Sequence, residues 1–162
     1  MIQVRSEIEQ AIKEYQIDRK RFFEVSKQSY SQIQEKIEST FVDKSKHWNA
    51  DIHWANMGNY NPKLKCVSVP LEKWDDWIAE LPSIIPSPND AVYVLFESNK
   101  DYQPKYWLYE AFIDELTSIL CGINGPDDFY IVSKKFNWLI SINHHDVITY
   151  VGDELKLNHT AL

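Results

Sequence analysis

Between Asp127 and Gly152 three short apolar runs, Phe129–Val132, Trp138–Ile142 and Val147–Val151, are separated only by small polar links. Those links, Ser133-Lys134-Lys135 and Asn143-His144-His145-Asp146, are long enough to close a hairpin. They are too short for the crossover that parallel neighbours need, so the three strands must lie antiparallel. A further run, Ala91-Val92-Tyr93-Val94-Leu95-Phe96-Glu97, is rich in β-branched and aromatic residues and follows the turn former Asn89-Asp90. Tyr106-Trp107-Leu108-Tyr109 is placed to pair back on it, across a polar loop containing Asn99, Asp101 and Pro104. With Cys66-Val67-Ser68-Val69 as another short strand, the pattern predicts a mainly antiparallel sheet of about five to six strands.

The remaining apolar residues recur at helical spacing. Val4, Ile8, Ala11, Ile12 and Tyr15 form one stripe, and Phe22, Ser26, Tyr30, Ile33, Ile37 and Phe41 form a second. Two amphipathic helices are therefore expected over residues 1–42, as an antiparallel pair, with Asp18 near the start of the second as a cap. Leu71, Trp74, Ile78 and Leu81 mark a third helix, which Pro82, Pro86 and Pro88 are expected to stop. Phe112, Leu116, Ile119 and Leu120 mark a fourth, closed by Gly122 and Gly125-Pro126. Lys46 to Lys65 shows no sustained period and reads as an irregular connection. The class is α+β: one domain over 1–152, with the helical pair at 1–42, a sheet-forming part at 66–152, and a loosely held tail at 153–162.

Composition narrows the function. Apolar residues make up 44% of the 162 and aromatic ones 14%, which is a globular balance rather than a disordered one. No apolar run reaches the length of a membrane span, and Met1 to Glu7 lack the apolar core of a signal peptide, so a cytoplasmic protein is expected. Cys66 and Cys121, each in apolar surroundings, read as buried thiols. Formal charge is −7, with nine basic against eight acidic residues up to Trp48 and eight against sixteen from Asn49 onward. A negative second half repels phosphate backbones and speeds encounter with a basic protein, so a protein partner is expected and nucleic acid is not. Four glycines leave no room for a GxGxxG or Walker loop, and GxSxG and HExxH are absent, so no cofactor is implied.

Two groups of side chains carry chemistry. His144-His145-Asp146 joins two imidazoles to a carboxylate, yet Asn143 and Asp146 also suit a tight turn, the simpler reading. His47 and His53, six residues apart, have no further ligands nearby to complete a zinc site, so no metal is expected. Neither cysteine has the neighbours that make a nucleophilic thiolate. The aromatic surplus is the stronger signal. Trp48, Trp54 and Tyr60 lie in the non-periodic segment, and Trp77 falls off the Trp74/Ile78 stripe beside Asp75, Asp76 and Glu80. Tryptophan ringed by carboxylates suits a protein interface. Trp48, Trp54, Asp75, Asp76 and Trp77 are the expected partner-binding residues, with His144 and His145 as further candidates and no catalytic residue assigned.

Asp128-Phe129-Tyr130-Ile131-Val132-Ser133-Lys134-Lys135-Phe136-Asn137-Trp138-Leu139-Ile140, then Asn143-His144-His145-Asp146 and Val151-Gly152, resembles small uncharacterised bacterial proteins, chiefly from Bacillus and relatives. In those the same pattern follows a stretch similar to Lys105-Tyr106-Trp107-Leu108-Tyr109-Glu110. More loosely, the order of elements looks like the SUKH superfamily, whose members often act as immunity proteins against bacterial toxins. That resemblance implies a cytoplasmic, non-catalytic binding protein that neutralises a toxin domain. The alternatives are a small-molecule binder or hydrolase-like enzyme using His144, His145 and Asp146, and a structural or regulatory subunit.

Overall fold

Alternate residues of each central strand go to opposite sides of the sheet and join two separate cores. Val92, Val94, Phe96, Tyr109, Phe129, Ile131, Ile140, Ile148 and Tyr150 belong to one; Leu95, Leu108, Tyr130, Val132, Leu139 and Val151 belong to the other. That period of two is what pleated backbone dictates, and here both faces are apolar because both are covered. A computed structural model describes residues 3–43, 45, 60–98, 106–124 and 126–157. In chain order the elements are α1 (Val4–Glu14), β1 (Phe22–Glu24), α2 (Lys27–Phe41), β2 (Cys66–Pro70), α3 (Trp74–Ile84), β3 (Val92–Glu97), β4 (Tyr106–Ala111), α4 (Ile113–Gly122), β5 (Phe129–Ser133), β6 (Leu139–Ile142) and β7 (Val147–Val151). The strands form one sheet in the order β1-β4-β3-β5-β6-β7-β2, antiparallel at every pairing.

The α+β class holds, and two details change. The sheet has seven strands rather than five or six. The N-terminal helices do not pair with each other: α1 packs Ile8, Ala11 and Ile12 into the first core beside α3 and α4, whereas α2 packs Ile37 and Phe41 into the second. What separates them is β1. Gln16 turns left-handed at φ 53°, and Asp18 then closes a tight turn, its carbonyl accepting the Arg21 and Phe22 amides. Phe22, Phe23 and Glu24 pair with Ala111, Glu110 and Tyr109 at the sheet edge. Asp18 therefore shapes the turn into β1, with Oδ1 accepting the Lys20 amide, and does not cap α2. Phe22 repeats at helical distance from Ser26, which is why a three-residue strand was hidden inside a helical stripe.

Two further expectations change. Pro82 does not end α3, which runs on to Ile84; buried Ile84 and Ile85 offset the backbone bond that proline removes. The tail is held as far as it is described: Leu155 is buried in the first core, and the Lys156 amide donates to the Ile84 carbonyl at 2.8 Å. No helix among the described residues is long and apolar enough to cross a membrane.

Candidate functional site

The β6–β7 link is a self-capped turn. Asn143 Oδ1 accepts the amides of His145 (2.9 Å) and Val147 (3.1 Å), and the Asn143 carbonyl accepts the Asp146 amide at 3.1 Å. Asp146 closes the turn at φ 57°, a conformation that a short polar side chain tolerates. Because the residues lie on a turn, strand alternation does not throw the two imidazoles apart. The His144 and His145 rings sit 4.0 Å apart, both exposed.

Beneath them is a residue that the sequence reading passed over. Asp128 stands just before β5, one residue beyond the Phe129–Ile142 pair that ends the β5–β6 ladder, and is fully buried. Its Oδ1 accepts the His144 backbone amide at 2.7 Å and lies 3.1 Å from His144 Nδ1. Its Oδ2 is buried and has no hydrogen-bond partner among the described residues. A carboxylate on Nδ1 favours the tautomer that leaves Nε2 free to accept, the arrangement by which buried acids orient imidazoles. The surroundings are phenolic. Burial pushes the Tyr60 and Tyr130 hydroxyls well above the ordinary tyrosine value, and the negative charge of Asp128 adds to both shifts. Tyr60 donates to Ser141 Oγ at 2.7 Å, and Ser68 Oγ lies 3.0 Å from Thr149 Oγ1, a hydroxyl row across β6, β7 and β2.

The same end of the sheet receives α3. The Leu71 amide donates to the Asp146 carbonyl at 2.7 Å, and α3 begins three residues later with Asp75 and Asp76 in its first turn. Both carboxylates are exposed, where they also favour the positive end of the helix dipole. Glu72, Asp127 and Asp146 are also exposed at this end of the sheet, as is Lys73. Asp75, Asp76, His144 and His145 thus lie at the same end of the sheet.

Trp77 is not part of that surface. It is 4% exposed, donates from Nε1 to Tyr150 Oη at 3.0 Å, stacks on Trp74 and meets Phe129 edge-on. The expectation of an exposed Trp77 is corrected: one step off the predicted stripe still falls inside a face as wide as the one α3 buries, Trp77, Ile78, Leu81 and Ile84. Trp48, Trp54, His47 and His53 lie outside the described residues. The cysteines are also corrected: both are exposed, Cys66 on edge strand β2 and Cys121 near the end of α4. Partial covering pushes the Cys66 thiol up, which makes it a poor nucleophile at neutral pH. Among the described residues no three His, Cys, Asp or Glu side chains gather as metal ligands do.

A family model matches residues 1–161 of the chain. The chain belongs to DUF6756, a family of unknown function. No curated protein matches it, and no solved structure does. The DUF6756 match covers the whole of the described fold and assigns no chemistry, so the geometry at the end of the sheet carries the functional argument.

Proposed function

We propose that this chain is a non-catalytic protein-binding module that docks a basic partner on the acidic end formed by the His144 turn and the start of α3. The observation that carries this reading is the set of exposed carboxylates at this end of the sheet, Glu72, Asp75, Asp76, Asp127 and Asp146, against Lys73 among the described residues. Like charges placed together at the surface cost stability, and they gain value by steering and registering an oppositely charged protein. The resemblance to immunity proteins fits this reading and names the class of partner, a basic toxin domain met in the cytoplasm.

The test uses the purified chain and the product of each gene encoded beside its own. A neighbour product that binds should do so with an affinity that falls steeply with salt, and the double variant Asp75→Lys/Asp76→Lys should lower it about tenfold or more. Absence of binding to every neighbour product, or binding indifferent to salt and to that variant, would refute the reading.

One observation favours a second reading. A buried carboxylate that orients an exposed imidazole is also how a general base is built. An enzyme or small-molecule binder using His144, with His145 and Asp146 beside it, predicts a pH-dependent activity lost in His144→Ala. A ligand thermal-shift screen separates it from the first.

A further inference from the structure

Asp128 is fully buried, yet only Oδ1 is partnered; Oδ2 has no donor among the described residues. Buried carboxylates are ordinarily paired or saturated with donors, because a stranded charge in a low-dielectric interior is costly. The carboxylate is aimed at the turn, since Oδ1 takes both the backbone amide and Nδ1 of His144. Part of its cover on the turn side is the imidazole, whose side chain is 48% exposed and rests on another exposed ring. An exposed side chain changes rotamer in nanoseconds or faster, so this cover opens without unfolding the turn, which Asn143 holds independently.

We infer that Asp128 is the floor of a cation-accepting subsite within the acidic end, and that it takes a lysine side chain of the partner. The inference rests on the docking reading above and specifies its chemistry. The ammonium enters along the exposed carboxylates, displaces the His144 ring, and donates to Oδ2 and to the position that Nδ1 vacates on Oδ1. The His144 amide remains on Oδ1 throughout. That retained bond decides the ligand: the two-pronged approach that suits arginine needs both oxygens open in one plane, whereas an ammonium is a compact point charge with three rotatable donors. Three kinds of group therefore cooperate: the rim attracts, the imidazole gates, and Asp128 anchors.

The experiment titrates the whole chain with an acetylated, amidated Gly-Lys-Gly peptide, and with matched peptides carrying arginine or Nε-acetyl-lysine. Nuclear magnetic resonance follows the Asp128 carboxyl carbon and the His144 ring nitrogens in the unaltered protein, so the result does not depend on a variant folding. Lysine peptide should shift both signals together, acetyl-lysine should shift neither, and arginine should bind more weakly than lysine. His144→Ala should tighten lysine binding, and a folded Asp128→Asn should weaken it about tenfold or more, as loss of a charge-assisted bond requires. Asp75→Asn, which touches only the exposed rim, should weaken it about two- to threefold. Salt-sensitive binding that shifts rim residues and leaves the Asp128 carboxyl unmoved would overturn the subsite and leave the docking reading standing. No binding by the peptide, together with no neighbour product bound, would remove both.

Discussion

Replacing Trp77 separates a core residue from an interface residue, because the two roles predict opposite outcomes. The indole is 4% exposed and makes three identifiable contributions. Nε1 donates to Tyr150 Oη at 3.0 Å, the ring stacks on Trp74 at 5.9 Å between centroids, and its edge meets Phe129 at 6.0 Å. Trp77→Ala removes all three and leaves a cavity at the α3–sheet boundary, for which about 3–5 kcal/mol is expected. At roughly 3 °C of Tm per kcal/mol for a chain of this size, the midpoint should fall about 10 °C or more. Trp77→Phe keeps most of the packing and strands the Tyr150 hydroxyl, at a cost of about 1–2 kcal/mol. It should also raise the Tyr150 pKa further: burial already pushes it up, and the Trp77 N–H, which stabilises the phenolate, is the interaction that holds it down. Urea unfolding followed by circular dichroism measures both variants, with binding to a basic partner measured under conditions where each is folded. A loss below about 1 kcal/mol for Trp77→Ala, or weakened binding with stability unchanged, would refute the assignment of Trp77 to the core.

Two further perturbations probe the frame around the site. Gly152 leaves β7 at φ 108°, where an added Cβ would lie 2.5 Å from the Asn137 carbonyl oxygen and 3.1 Å from Trp138 Cα; Gly152→Ala is therefore expected to cost about 3 kcal/mol or more in urea unfolding, and a cost under about 1 kcal/mol would contradict the geometry. Alkaline pH should unfold the protein steeply. Burial raises the Tyr60, Tyr109, Tyr130 and Tyr150 hydroxyls above their unfolded value, so their stability is fully present below about pH 10 and is lost as pH rises through the folded values. Each buried phenol withdraws up to about 1.4 kcal/mol per pH unit in that window. Tyr30, pushed up to about 12 but only half-buried, adds less because solvent screens it. Unfolding free energies at pH 9, 10 and 11 test the slope, and a flat profile would refute it.

The parts of the fold that were legible in the sequence are those fixed by short-range geometry. The β5–β6–β7 meander follows from links too short to cross over, and the β3–β4 pairing from two apolar runs facing each other across a polar loop. What was not legible depends on which side of the sheet an element chooses. An amphipathic stripe says that a helix buries one face and is silent about what it buries it against. A pair of stripes separated by Arg19-Lys20-Arg21 therefore looks the same whether the helices pack on each other or on opposite faces of a sheet. The decisive segment, Phe22-Phe23-Glu24, is too short for period two to be told from period four. At the site, the turn at Asn143–Asp146 was readable from its residue types. Asp128 was not, because an aspartate beside Asp127 in a turn-rich stretch has the same letters whether it faces water or the interior. What turns it inward is its place one residue beyond the Phe129–Ile142 pair, where its carboxylate accepts the His144 amide.

The aromatic surplus that suggested an interface has a structural destination, and that destination bears on the site. From α3 a chain of ring contacts crosses the first core: Trp77 to Phe129, Phe129 to Phe96, Phe96 to Tyr109, and Tyr109 to Phe22 on the edge strand. Every ring in that chain is nearly or wholly buried. Phe129 is the second ring of that chain and the residue next to Asp128. Neighbouring residues of a strand point to opposite sides, so the ring is locked into the first core while the adjacent carboxylate is presented on the other face, under the His144 turn. The buried aromatics thus act on the site by fixing its floor. Anchoring through Phe129 holds the Asp128 carboxylate on that face, where Oδ2 is buried. Phe129→Leu, which thins the ring chain while leaving every polar group at the turn in place, should therefore weaken binding of a lysine peptide together with stability. A variant that loses stability and keeps full lysine binding would show that the aromatic spine and the acidic end are independent.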